Sequence, residues 1–465
     1  MPRASRPACR LELTKVIHPA LGGLRLVLRA FWRDRNSGGA QAVGEGASVS
    51  DPYQRPSSDT GRAVSATTPA LAATVARCFV AAAAPIYLYD LLRQTSDHLT
   101  DGAGRPFGDD FINFWSGAYL AWHGRVAEIY NPAAFHAFEQ SVVGAPLNAY
   151  HYSYPPVLLL LTAPLALLAY VPALLAWLTA GWYAFYRALR LAMPGQGARL
   201  LALAAPAVFI NAIGGQNGTW TAALFGGGLS LLERRPLLAG GLLGTLIYKP
   251  QLGLLIPVAL LAGRHWRALA AASVVAGLLL AASTIWFGTD AWAAYLRNLA
   301  LLRQMILEDG TGVWHRFVSV FVAARRLGAP VEAAYVIQAA SGALACIAVA
   351  WVWFGHAPAG VKNAVLVLAT CLTTPYLQDY DLVFGALVVA WLWQYPVPSA
   401  SGRVRQISAG LLLLLPVAAA ALAHLTGLAL GPLFVVPLLV VALQMSLDAR
   451  SAGFASLGER EGTAT

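Results

Sequence analysis

The chain has 465 residues, 58% of them hydrophobic and 12% charged. Soluble domains carry about 25% charged residues, so an ordinary globular protein is excluded. Several apolar runs reach the ~20 residues that cross a bilayer. The formal net charge of +10 invites a nucleic-acid reading, but no zinc-finger spacing and no basic–aromatic nucleic-acid motif accompanies it. Arginine-rich loops are the ordinary signature of a polytopic membrane protein.

In chain order, residues 1–66 are polar and rich in Gly, Ser, Arg and Pro, with no apolar region followed by a cleavage site. They read as a cytoplasmic, largely disordered basic tail. Within it, Arg25, Arg29 and Arg33 share one helical face, which suits a helix on an anionic membrane surface; a plain disordered tail accounts for them equally well. The first span is expected at 68–92. The acidic stretch Asp97, Asp101, Asp109, Asp110 follows, so the positive-inside bias places 93–154 outside.

Further apolar segments lie near 155–169, 171–190, 198–213, 218–233, 237–262, 267–288, 331–354, 361–376, 380–395, 407–427 and 429–447. With the first they make about twelve spans. The membrane domain is therefore 67–450, followed by a cytoplasmic tail at 451–465, with a second large outer loop at 289–330. "ERRP" (233–236) and "GRHWR" (263–267) cannot both be inside if 237–262 crosses once. Either the rule fails at "ERRP", or 237–262 is a re-entrant hairpin turning at "YKPQ". No internal repeat is visible. Cys9, Cys78, Cys346 and Cys371 form no CxxC pair, so neither a metal site nor a disulfide framework is indicated.

Six short stretches can carry chemistry. Asp109 and Asp110 precede Phe111, Phe114, Trp115, Tyr119 and Trp122, an aromatic face suited to a helix lying at the membrane interface. Asp110 there is either a helix cap or an ionised base. "HYSYPP" offers His151, Tyr152 and Tyr154 as sugar contacts or interfacial anchors, and "GGQNG" offers the amides of Gln216 and Asn217 or a simple polar turn. Lys249 in "YKPQ", next to Gln251, is one of three lysines. A charge within an apolar run is costly; it suits a lipid-linked phosphate, a snorkelling role or a pairing with a carboxylate. His315 and Arg316 in "VWHRF" suit phosphate and sugar, or a lipid headgroup. Asp379 and Asp381 in "YLQDYDL" spell D-x-D, but no soluble nucleotide-binding domain accompanies them. They suit acceptor contact, or pairing with Lys249 or an arginine.

Taken in order, "DFINFWSGAYLAWHGRVAEIYNPAAF", "HYSYPP", "GGQNG", "YKPQLGLLIP", "WHRF" and "TPYLQDYDL" resemble the polyprenyl-phosphate-mannose-dependent mannosyltransferases of glycosyltransferase family 87. The similarity runs from about residue 75 to 395. It implies an all-α polytopic GT-C bundle in the inner (plasma) membrane, with outer loops holding the active site. It also implies inverting transfer of a hexose, mannose in that family, from a polyprenyl-phosphate donor to a lipid or glycan acceptor. No metal or other cofactor is expected, and the partners are membrane lipids and the two substrates, not nucleic acid. Asp110 matches the family's base, with Asp109 the adjacent alternative. Lys249, His315 and Arg316 become candidates for the donor phosphate. His151, Tyr152, Tyr154, Gln216, Asn217, Gln251, Asp379 and Asp381 become candidates for sugar or acceptor. The rival class is a transporter or flippase, which tends to show inverted repeats and ionisable residues near the midplane. A third is an envelope scaffold without catalysis.

Overall fold

The computed structural model describes residues 60–310, 313–395 and 399–462; the Arg25–Arg33 helix expected in the tail lies outside them. Among the described residues the regular elements are helices, with no named strand. Many begin on a proline, at Pro132, Pro156, Pro206, Pro236 and Pro250. The first-turn N–H has no intrahelical partner to lose, and the fixed φ already suits a helix.

The principal helices are α1 (Thr60–Arg93), α2 (Phe111–Trp122), α3 (Pro132–Val143), α4 (Tyr170–Ala192), α5 (Gly218–Leu231), α6 (Pro236–Thr245), α7 (Ile256–Ala262), α8 (Trp266–Leu302), α9 (Val331–Phe354), α10 (Ala359–Thr373), α11 (Ser399–Thr426) and α12 (Gly431–Gly462). Among the described residues, four stretches are long and apolar enough to cross a membrane: Trp266–Glu308, Val331–Phe354, Gly402–Thr426 and Gly431–Ser451. A fifth arises if Gln196–Ala204 and Pro206–Ile213, bent by 43°, form one span. Of the other apolar segments, Tyr170–Ala192 is an unbroken helix of 23 residues that carries Arg187 and Arg190, whereas Pro156–Leu167, Pro236–Tyr248, Pro250–Ala262 and Ala359–Thr373 are shorter.

Two expectations about loops change. The aromatic helix α2 does not present its aromatic face to the surface. Phe111, Ile112, Phe114 and Trp115 are buried in the body, and Trp122 at its end is exposed. Its apolar residues occupy every side, which suits a core helix rather than a surface one. The 289–330 segment is also largely helical. α8 runs on to Leu302 past a break at Gly288, where φ is 81°, and a further helix covers Val320–Arg326.

The 237–262 segment is a hairpin. Its helix breaks at Lys249 between Leu246–Tyr248 and Pro250–Gly253. Afterwards the chain returns to its starting level, because Nε2 of His265 lies 3.8 Å from Oε1 of Glu233. α6 then packs in parallel with α8. A Cβ at Gly240 would strike the carbonyl of Ala268, and one at Gly244 that of Ala272. "ERRP" and "GRHWR" thus share one face, so the charge rule does not have to fail at either. At 1.5 Å per helical residue, Lys249 stands roughly 20 Å from that face.

Candidate active site

The turn before α2 is built to aim Asp110. Gly108 and Asp109 both have positive φ, 81° and 49°, a conformation that glycine adopts freely and aspartate more readily than most residues. Three elements hold this turn. The Gly108 N–H donates to Oε1 of Gln94 at 2.8 Å. The hydroxyl of Tyr170 donates to the Phe107 carbonyl at 2.6 Å. Gly215, itself at φ 58°, lies so close that a Cβ there would collide with the Gly108 carbonyl and with Phe111.

The two aspartates have different partners. Asp109 accepts from Nε of Arg105 at 3.1 Å and from the Tyr150 hydroxyl at 2.7 Å. Arg105 in turn reaches Asp90 of α1 at 2.7 Å. Asp110 holds the N-cap position of α2, yet its side chain makes no capping hydrogen bond. It accepts instead from Nε2 of Gln216, and its Oδ2 lies 3.6 Å from Nη1 of Arg316. A pure capping role therefore does not describe it. Burial and the charge of Asp109 push its carboxyl up to about 7, against the pull of Arg316 and Gln216.

Arg316 links this turn to the other end of the site. Its Nε and Nη2 lie 3.3 Å from the Asp379 carboxylate, and its guanidinium lies 5.7 Å from the Tyr380 ring centroid. Two residues on, Asp381 accepts from Lys249 Nζ at 2.5 Å. Lys249 also donates to Asn217 Oδ1 at 3.2 Å and lies 4.7 Å from the Tyr380 ring. The hairpin tip, "GGQNG", "VWHRF" and "QDYDL" converge on one polar knot inside an apolar body. Both acids pair with cations, one of the alternatives the sequence left open for them.

The other candidates are less central. Tyr154 hydrogen-bonds Tyr380 and reaches the knot. Tyr152 is 1% exposed, within a cluster containing Tyr130 and Phe135, so its ring backs the site wall. His151 is half-buried with Nδ1 unpartnered; burial and neighbouring His136 lower its pKa. The His315 ring stacks on His424, centroids 5.0 Å apart. Gln251 is half-buried on the turn after Lys249. Sequence reasoning passed over Gln94, Tyr150 and Tyr380. Only Tyr380, between the two aspartates, carried a local signal.

The model of glycosyltransferase family 87 matches residues 152–375. With membrane-length apolar helices, that match defines the class: a membrane glycosyltransferase. Over that region the chain is similar to glycosyltransferase family 87. Gln216, Asn217, Lys249 and Arg316 fall within it; Asp379 and Asp381 lie just past its end, and Asp109 and Asp110 lie well before its start. No curated protein and no solved structure matches the chain.

Proposed function

We propose that this protein transfers a hexose, mannose by resemblance, from a polyprenyl-phosphate donor to a lipid or glycan acceptor, with inversion and on the outer face of the inner membrane. The observation that carries the reading is the Asp110–Arg316 approach at 3.6 Å, which sets a carboxylate beside a cation that can meet a phosphate. Asp110 takes the proton from the acceptor hydroxyl as that oxygen attacks the anomeric carbon. The bond from that carbon to the phosphate oxygen breaks, and the lipid phosphate leaves with the electron pair. Positive charge already in place stabilises it.

The cations divide this work. Lys249 is 2% exposed and committed to Asp381, Asn217 and the Tyr380 ring, so we assign it to holding the hairpin tip. Arg316 is more open, its side chain 22% exposed, and is the better phosphate ligand. Asp379 takes Nε and Nη2, which leaves Nη1 to exchange Asp110 for the donor phosphate. That exchange would remove a cation from Asp110 and make it a stronger base once donor is bound. We assign Tyr154 to a sugar hydroxyl, whereas Gln216, 3% exposed, holds Asp110.

Membranes containing the protein, given labelled polyprenyl-phosphate mannose or a labelled nucleotide mannose, test the donor. Label entering a lipid or glycan from the first alone supports the reading; transfer from the nucleotide sugar in membranes cleared of polyprenyl phosphate contradicts it. The transporter reading has one observation behind it, a charged residue at a helix break. Uptake of substrate into proteoliposomes without chemical change would favour it.

A further inference from the structure

The open end of the hairpin carries a feature that sugar transfer does not use. Because α6 and α8 pack in parallel, Arg235 and Arg267 come to the same place. They line one cavity of about 510 Å³ with Pro236, Leu237 and Leu238. Both arginines are exposed, and among the described residues neither guanidinium has a carboxylate partner. The nearby Glu233 carboxylate is turned to His265, 3.8 Å away, and is mostly exposed.

The apolar wall is the second half of the feature. Leu237 is 65% exposed and Leu238 48% exposed, at the start of an apolar helix roughly one hydrocarbon leaflet from the tip. An inorganic phosphate would use the guanidinia and gain nothing from the leucines. A diacyl lipid would use both: its phosphate in the arginine fork, which suits bidentate oxygen contacts, and its acyl chains along Leu237 and Leu238. A zwitterionic head would bring its own cation into a cluster that already has two, so the charge favours a net anionic one.

We propose that the Arg235–Arg267 cavity is a binding site for the phosphate of an anionic phospholipid, which pins the two ends of the hairpin together. The site lies at the opposite end of the hairpin from Lys249 and does not depend on the sugar-transfer reading.

The test uses the full chain, purified in detergent and stripped of lipid. Melting temperature is recorded with added phosphatidylglycerol, phosphatidylcholine or inorganic phosphate, for wild type and for Arg235→Gln/Arg267→Gln, with Arg297→Gln as a control arginine elsewhere. Phosphatidylglycerol should raise the wild-type and control midpoints by several degrees, and the double variant should lose at least half of that shift. An equal shift in the double variant, or the same shift with phosphatidylcholine, overturns the site. An equal shift with inorganic phosphate overturns the lipid assignment. Should the double variant not fold, native mass spectrometry of the wild type decides: retained phosphatidylglycerol in preference to phosphatidylcholine supports the proposal, and no preference overturns it.

Discussion

The ammonium of Lys249 and the carboxylate of Asp381 approach to 2.5 Å with side chains only 3% and 1% exposed, across 132 residues of chain. This pair fastens the hairpin tip to the segment that carries Asp379. Removing one partner of a buried pair strands the other charge, at a cost of about 3–5 kcal/mol, whereas replacing both by apolar groups is often neutral. Lys249→Met and Asp381→Leu should each depress the melting temperature strongly, and the double variant should recover much of the loss. Additive losses, measured by thermal unfolding in detergent, would show that the two residues are not coupled.

The proposed role of Asp110 as base sets a pH dependence. A base with its carboxyl pushed up to about 7 is mostly protonated at pH 6, so kcat/KM should rise with pH and level off above about 7. Arg316 pulls that value down and Asp109 pushes it up. Arg316→Gln should therefore move the rise to higher pH, and Asp109→Asn to lower pH. A profile flat from pH 5.5 to 8.5, or shifts of the opposite sign, would remove Asp110 from the role of base.

Gly215 is a test of positioning. A side chain there meets the Gly108 carbonyl and has to adopt φ 58°, so Gly215→Ala should displace the Asp110 turn from Gln216. A displacement of about 1 Å at a reacting group can cost on the order of 10²-fold in rate. Transfer at saturating donor should fall by roughly that factor while the protein still folds, as read by size-exclusion profile. Wild-type rates in this variant would mean that the turn tolerates the shift.

Glu139 gives a stability signature. It is wholly buried, and among the described residues neither carboxylate oxygen has a hydrogen-bond partner. Burial, with the Asp110 charge adding to it, pushes its carboxyl up to about 9 from an ordinary 4.5. The folded protein then keeps a proton that the unfolded chain releases. The contribution is fully present below about pH 4.5 and is lost as pH rises toward 9. Glu139→Gln should flatten the fall in melting temperature between pH 6 and 9, with little change at pH 5. A variant as pH-sensitive as wild type would place the titration elsewhere.

How much of this was legible follows from what each signal depends on. The apolar segments emerged as helices because hydrophobic run length is local, and 331–354 coincides with α9 at both ends. The hairpin was framed as one of two options by arginine placement alone; the contact of residue 233 with 265 decides it. Residues in the knot announced themselves by polarity within apolar surroundings, as Lys249, Gln216 and Asp381 do. Their pairing did not, since partners lie 106 and 132 residues apart. The burial of α2 was missed because an aromatic face looks alike whether it meets lipid headgroups or Tyr170 and Trp177, which pack on Phe111 and Phe114. Gln94 and Tyr150 act through hydrogen bonds to distant residues, for which no local pattern exists.

The most direct measurement is transfer of labelled mannose from polyprenyl phosphate in membranes, comparing wild type with Asp110→Asn at matched expression. Loss of general-base catalysis should lower transfer by about 10²- to 10⁴-fold while the donor is still bound. Transfer by the variant at the wild-type rate would contradict the assignment of Asp110 and return attention to Asp109.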